Sequence, residues 1–253
     1  MKALKKILFL FLIAMFSSLV YSLPVKKVYR GDNRPPEEVF KNGFSSWSES
    51  GDNGVNINFN AHVLGLSGRR AAIGTRNDAF IPTSSNPQIA RGFSYDLMDI
   101  AENNVAYLYT IRATEDFYSV SDTMYHNYDA SGINMSHDVR AVVMREHEYA
   151  AYRHIPSELI ESVTVYTRLS NNGGVLVQNF QNGNYVNADT HSNDSPFTFG
   201  NQTPITSSPI LLMGSSLTNI NNSQPDDSST LPSPQYNPQS LFSCFHCFFV
   251  SIK

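Results

Sequence analysis

The sequence predicts an α+β domain, and three observations carry that reading. Short runs read as strands: Val28-Tyr29-Arg30 and Ala79-Phe80-Ile81, with Val105 to Ile111 and Ser162 to Tyr166 alternating apolar and polar residues in the way of half-buried strands. Helix signals stand between them, at Pro35-Pro36-Glu37-Glu38 and at Thr83-Ser84-Ser85-Asn86-Pro87. After Leu169 the composition shifts to Asn, Ser, Thr, Gln, Gly and Pro, so the patterned region has an end.

Each element has its own reason. In the first helix the prolines and acids suit the N-terminus, and Gly43 stops it. Asn53 to Leu66 carries weak helical periodicity, and Gly65, Gly68 and Gly74 mark a loop. The helix after Pro87 buries Ile89, Ala90, Phe93 and Leu97 on one face. Ser121 to Arg140, rich in Ser, Asp, Asn and His, reads as a long functional loop. The run Arg145-Glu146-His147-Glu148-Tyr149 reads as a strand, which puts Glu146 and Glu148 on one face. Beyond Leu169, Gly174 to Val177 and Pro209 to Met213 are strand-like islands in a polar extension, and Leu241 to Val250 is an apolar terminus suited to docking on a partner or on the chain's own core.

The leader fixes the compartment expected. Lys2, Lys5 and Lys6 precede an apolar run from Ile7 to Phe16, and Val20-Tyr21-Ser22 follows at the usual cleavage offset, so residues 1–22 read as a secretory signal peptide. No later run is long and apolar enough for a membrane anchor. The division expected is 1–22 signal, 23–169 folded domain and 170–253 extension. The chain has 18 basic and 22 acidic residues; loss of the three leader lysines leaves 15 against 22, a balance that argues against a nucleic-acid surface. The two cysteines, Cys244 and Cys247, close only a small local loop, and with His246 alone beside them a local disulfide or free thiols rank above a metal site. No metal is expected.

Four features then stand in order. Arg30 at a strand end beside a turn suits a phosphate, though a salt bridge to Asp32 or Glu37 is an equal reading. His62 alone is more often structural. Phe80-Ile81-Pro82-Thr83-Ser84-Ser85 ends a strand in hydroxyls that commonly cap helices. Glu146 and Glu148, taken alone, read as a solvated strand face, and as a close like-charged pair they are also candidates for acid/base or cation-stabilising work.

As an ordered set they resemble the ADP-ribosyltransferase toxins of the cholera and pertussis type. Tyr29-Arg30 through Arg34-Pro35-Pro36-Glu37 to Val39-Phe40-Lys41-Asn42-Gly43-Phe44, with Trp47 just beyond, is similar to the family's amino-terminal signature. Glu148-Tyr149 through Arg153-His154-Ile155-Pro156 is similar to its carboxyl-terminal one. The resemblance spans Val28 to Leu169. It implies mostly antiparallel sheets around an NAD cleft, with NAD as substrate and ADP-ribose transferred to a host protein. Glu148 matches the catalytic glutamate, and Arg30 the arginine that holds NAD phosphate. His62 matches a positioning histidine near the nicotinamide ribose, and Ser84 the hydroxyl that orients Glu148; Tyr29 and Trp47 belong to the same NAD-binding set. Glu146 implies an arginine acceptor, since pertussis toxin has glutamine there and modifies cysteine.

The resemblance further implies a toxin A subunit docking on a receptor-binding B oligomer. Two departures stand against the pattern. Pro82 replaces the first serine of the hydroxyl motif, and Ala71 and its neighbours lack the cysteine that pertussis-type subunits pair with a distant one. Other readings are an NAD glycohydrolase that passes ADP-ribose to water, or an inactive secreted interaction protein that keeps the fold.

Overall fold

Alternation does build the strands. In the computed structural model, which describes residues 24–49, 53–68, 71, 74–100, 104–169 and 174–205, seven strands form one antiparallel sheet. These are β1 (Lys27–Asp32), β3 (Phe80–Ser84), β4 (Val105–Arg112), β5 (Phe117–Ser119), β6 (Glu148–Tyr152), β8 (Ile160–Arg168) and β9 (Val175–Gln181), in the order β5-β6-β3-β1-β4-β8-β9. A second, two-stranded sheet joins β2 (Phe44–Ser45) to β7 (His154–Ile155).

Helix α1 (Pro36–Asn42) opens on its proline and ends at Gly43, whose φ of 70° and N–H bond to the Val39 carbonyl close the last turn. A side chain at Gly43 would stand 2.1 Å from the Ile155 carbonyl oxygen, so glycine lets β2 and β7 meet. Helix α2 is short (Phe59–Val63), capped by Asn58, whose side chain accepts from the Ala61 N–H at 2.9 Å. Helix α3 (Pro87–Ile100) buries Ala90, Phe93, Leu97 and Met98 as its period predicts, with Ile89 only half buried. It lies so close to β1 that a Cβ on Gly31 would meet the Ala90 carbonyl at 2.8 Å.

The structure corrects the loop expected over 121–140. The segment is helical: α4 (Val120–Ser131) and α5 (His137–Glu146). Ser119 and Ser136 cap them by accepting from the Asp122 and Val139 N–H groups, and Gly132 in the left-handed region ends α4. Val120, Met124 and Tyr128 at four-residue spacing, with Val139 and Val143, bury one stripe; the polar residues cover the other face.

The sheet continues past Leu169. Strand β9 pairs with β8 from Ser162↔Gln181 to Arg168↔Val175, so the expected domain boundary falls between two paired strands. Farther on, the Ser192 N–H reaches the Val25 carbonyl, the Val25 N–H reaches Ser192 Oγ, and Phe197 is buried against Phe59, Phe80 and Tyr118. The expected signal peptide, the island at 209–213, the apolar terminus and both cysteines lie outside the described residues.

Candidate active site

The strand expected over 145–149 is instead a corner. Helix α5 ends at Glu146, His147 turns the chain in the left-handed region (φ 47°, ψ 39°), and β6 starts at Glu148. Glu146 and Glu148 are therefore a helix end and a strand start, both buried. Short polar residues on β3 hold the corner. Ser84 Oγ donates to the Glu146 carbonyl at 2.8 Å, Ser85 N–H to the His147 carbonyl at 2.9 Å, and Thr83 Oγ1 to the Tyr149 carbonyl. Ser84 stands directly opposite Glu148 in the ladder, but its hydroxyl is bonded to the backbone of the turn.

Glu148 ends a buried polar chain. Its Oε1 lies 3.0 Å from His62 Nε2, and His62 Nδ1 lies 2.9 Å from Asp78 Oδ2. Helix α2 supplies the histidine, and Phe59 and Phe80 pack around its ring. Burial alone would lower the proton affinity of His62, but the Asp78 and Glu148 carboxylates overcome it and raise the pKa to about 10. At neutral pH the ring is an imidazolium that donates one N–H to each carboxylate, one positive charge between two negative ones. The stability this gives is fully present below the ordinary histidine value near 6.5 and is lost as pH rises through about 10. Wild-type Tm is thus expected to fall between pH 7 and 10.5 more steeply than that of His62→Gln, by on the order of a few kcal/mol in unfolding free energy. Parallel pH–Tm curves for the two proteins would refute the coupling.

A second buried cluster lies one strand pair away. Arg30 Nε meets Asp32 Oδ2 at 3.0 Å, and one Nη donates to the Pro82 carbonyl at 2.7 Å. Arg34 closes on the same carboxylate with Nε and Nη2, each at 2.9 Å. The Phe44 ring faces both guanidiniums, at 5.3 and 4.8 Å. Burial would push the Asp32 carboxyl up, but the two arginine charges hold it below the ordinary carboxylate range. The salt bridge to Asp32 is present, but Arg30 lies within β1 rather than at its end, since the strand runs on to Asp32.

The remaining expected residues divide. Trp47, in a 3-10 turn (Trp47–Glu49), stacks under Arg76 at 4.6 Å and, with Asp78, flanks Gly68. Its turn is tied to the site by the Ser48 N–H bond to the Asp78 carbonyl. Tyr29 takes the opposite pleat face from Arg30 and packs beneath α3 with Ala90, Met98 and Leu108, because adjacent strand residues point apart. Asp32, Arg34 and Asp78 complete the charged set, although they were not among the candidate site residues. The Arg30-x-Asp32 spacing was a visible signal, since both side chains share a strand face; Asp78 had none. A cleft of about 390 Å³ opens beside the corner, lined by Ser85, Ser121, Asp122, Met144, His147 and Glu148. Among the described residues no three or more His, Cys, Asp or Glu side chains are arranged to hold a metal ion.

The family model described as pertussis toxin, subunit 1, matches residues 23–208. The chain belongs to this family. Pertussis toxin subunit 1 of Bordetella pertussis is 31% identical over 186 residues, covering 69% of this chain and 66% of that protein, so the chain spans just under two thirds of the length of the curated relatives it matches. The ADP-ribosylating toxin CARDS of Mycoplasma pneumoniae is 37% identical over 103 residues, 40% of this chain and 15% of that one. Among solved structures, EcPltA superposes with a TM-score of 0.59 at 28% identity, covering 70% of this chain and 97% of its own. Full-length CARDS toxin has a TM-score of 0.51 at 24% identity, covering 70% and 32%, and speaks to the fold alone. The pertussis toxin subunit 1 family thus places this chain in the ADP-ribosyltransferase fold.

Proposed function

We propose that this chain is the catalytic subunit of a secreted toxin that transfers ADP-ribose from NAD to an arginine of a host protein. The observation that carries the reading is the buried chain Asp78–His62–Glu148, which fixes one carboxylate oxygen of Glu148 at the mouth of a cleft. A carboxylate so placed, facing a ribose, stabilises the positive charge that develops as the nicotinamide–ribose bond breaks and nicotinamide leaves with the bonding pair. It interacts more strongly with the cation than with the ground state, which is what lowers the barrier. Arg30, held by Asp32 and the Pro82 carbonyl, binds an NAD phosphate oxygen. Trp47, beside Asp78 at Gly68, packs against the nicotinamide end of NAD in this reading.

Glu146 takes the proton of the attacking guanidinium as its nitrogen bonds to the ribose carbon. Because Glu146 and Glu148 sit on either side of a rigid corner, one can serve the acceptor while the other serves the ribose. The leader at residues 1–22 exports the protein, and a receptor-binding oligomer is its delivery partner.

Incubation of the mature chain with labelled NAD and host-cell lysate is expected to label a protein, and mass spectrometry of that product to place ADP-ribose on arginine. Glu146→Gln should cut protein labelling by about 10²-fold while release of nicotinamide to water persists. Free ADP-ribose with no labelled protein would instead make the wild type a glycohydrolase, and absence of any NAD consumption would end the enzymatic reading.

A further inference from the structure

A third cluster of charge lies three strands from β6, where β4 ends beside the start of β1. Arg112, only 8% exposed, spends its hydrogen bonds on neutral oxygens: Nε donates to the Val186 carbonyl at 3.0 Å and Nη1 to Thr190 Oγ1 at 2.7 Å. Thr190 passes its own proton to the Ala113 carbonyl. Among the described residues no carboxylate stands within ion-pair distance of this guanidinium. The nearby acids are engaged elsewhere, Glu161 with Lys27 and Asp189 with Lys26, each at 2.6 Å.

Lys27 is also the direct cross-strand partner of Arg112, a like-charge juxtaposition that disfavours the empty site. Three cations against two carboxylates leave one net positive charge around a cavity of about 320 Å³ that Lys26, Lys27, Arg112, Asn187, Thr190 and the Lys26-paired Asp189 line. A buried guanidinium without a counter-charge is costly in a folded protein unless an anion completes it. Its planar fork, already oriented by Val186 and Thr190, matches two oxygens of a tetrahedral group.

We propose that Arg112, with Lys26 and Lys27, forms a binding site for a small phosphoryl anion, separate from the Glu148 cleft. The ion is held by the Arg112 fork and screened by the two exposed lysines, and it ties the segment 185–190 to β1 and β4. The site takes a free phosphate or the phosphoryl group of a small monoester, and the two sources are separable by titration.

Calorimetric titration of the mature chain with inorganic phosphate, at constant ionic strength in chloride, is expected to saturate with a Kd of about 1 mM, the range of one charge-assisted fork. Glycerol 3-phosphate binding more tightly than phosphate would assign the monoester; equal or weaker binding would assign the free ion. Arg112→Gln should weaken binding at least tenfold. Should that variant fold poorly, Lys26→Gln/Lys27→Gln, which alters only exposed side chains, should weaken it severalfold with an unchanged Tm in chloride. Glu148→Gln should leave the Kd unaltered, which separates this site from the NAD reading. Unsaturable heats, or the same Kd in wild type and the double lysine variant, would overturn the proposal and leave Arg112 as a backbone clamp.

Discussion

Glu148→Gln is expected to lower ADP-ribose transfer by about 10²–10³-fold while the fold stays intact. Glutamine keeps an oxygen where Glu148 Oε1 accepts from His62 Nε2, so the polar chain to Asp78 is preserved in shape. What goes is the negative charge, and with it the stabilisation of a cationic ribose. The same change removes one of the two carboxylates that hold the proton on His62, so the His62 pKa should drop from about 10 toward the ordinary value, with Asp78 keeping part of the shift. Nitrogen NMR of the His62 ring reads that drop independently of activity. A variant that retains more than a tenth of wild-type transfer would show that another group carries the charge stabilisation.

Asp32→Asn should cost stability outright, about 3–5 kcal/mol, because it leaves buried guanidinium charge without its counter-ion. Asp32 is fully buried and receives Arg30 Nε, Arg34 Nε, Arg34 Nη2 and the Arg34 backbone N–H. Asparagine can accept at one oxygen only and carries no charge, so Arg30 would keep the Pro82 carbonyl and little else of the pairing described. The change would also weaken the NAD-phosphate contact proposed for Arg30, since that side chain would no longer be held in one orientation. Urea unfolding should show a lower midpoint at unchanged slope. A midpoint shift worth less than about 1 kcal/mol would mean that the arginines find other acceptors or solvent at little cost.

The parts of the fold visible in the sequence are those written in local periodicity. Val28-Tyr29-Arg30, Ala79-Phe80-Ile81, Val105 to Ile111 and Ser162 to Tyr166 fall in β1, β3, β4 and β8, and Gly43 ends α1 where its missing side chain is needed. Helices α4 and α5 were hidden because their apolar stripe is narrow and their exposed faces are built of Ser, Asp, Asn and His, residues more common in loops. The left-handed turn at His147 was hidden too, since a histidine there is uncommon and nothing in the residue type announces it. Its effect was large, because a one-residue corner replaced the expected alternation of Glu146 and Glu148. Asp78 is sixteen positions from His62 and has no spacing rule to reveal it; only the fold brings them together.

The contacts that join Val25 to Ser192 and Phe59 to Gln202 set the order in which this chain can fold. The first strand is central in the sheet, yet the segment before it is fastened by a residue 167 positions farther along the chain. Until those residues arrive, the nascent chain lacks the closing contacts of both its aromatic core and its amino-terminal edge. So non-local a topology folds slowly and as a unit, over milliseconds to seconds in domains of this kind.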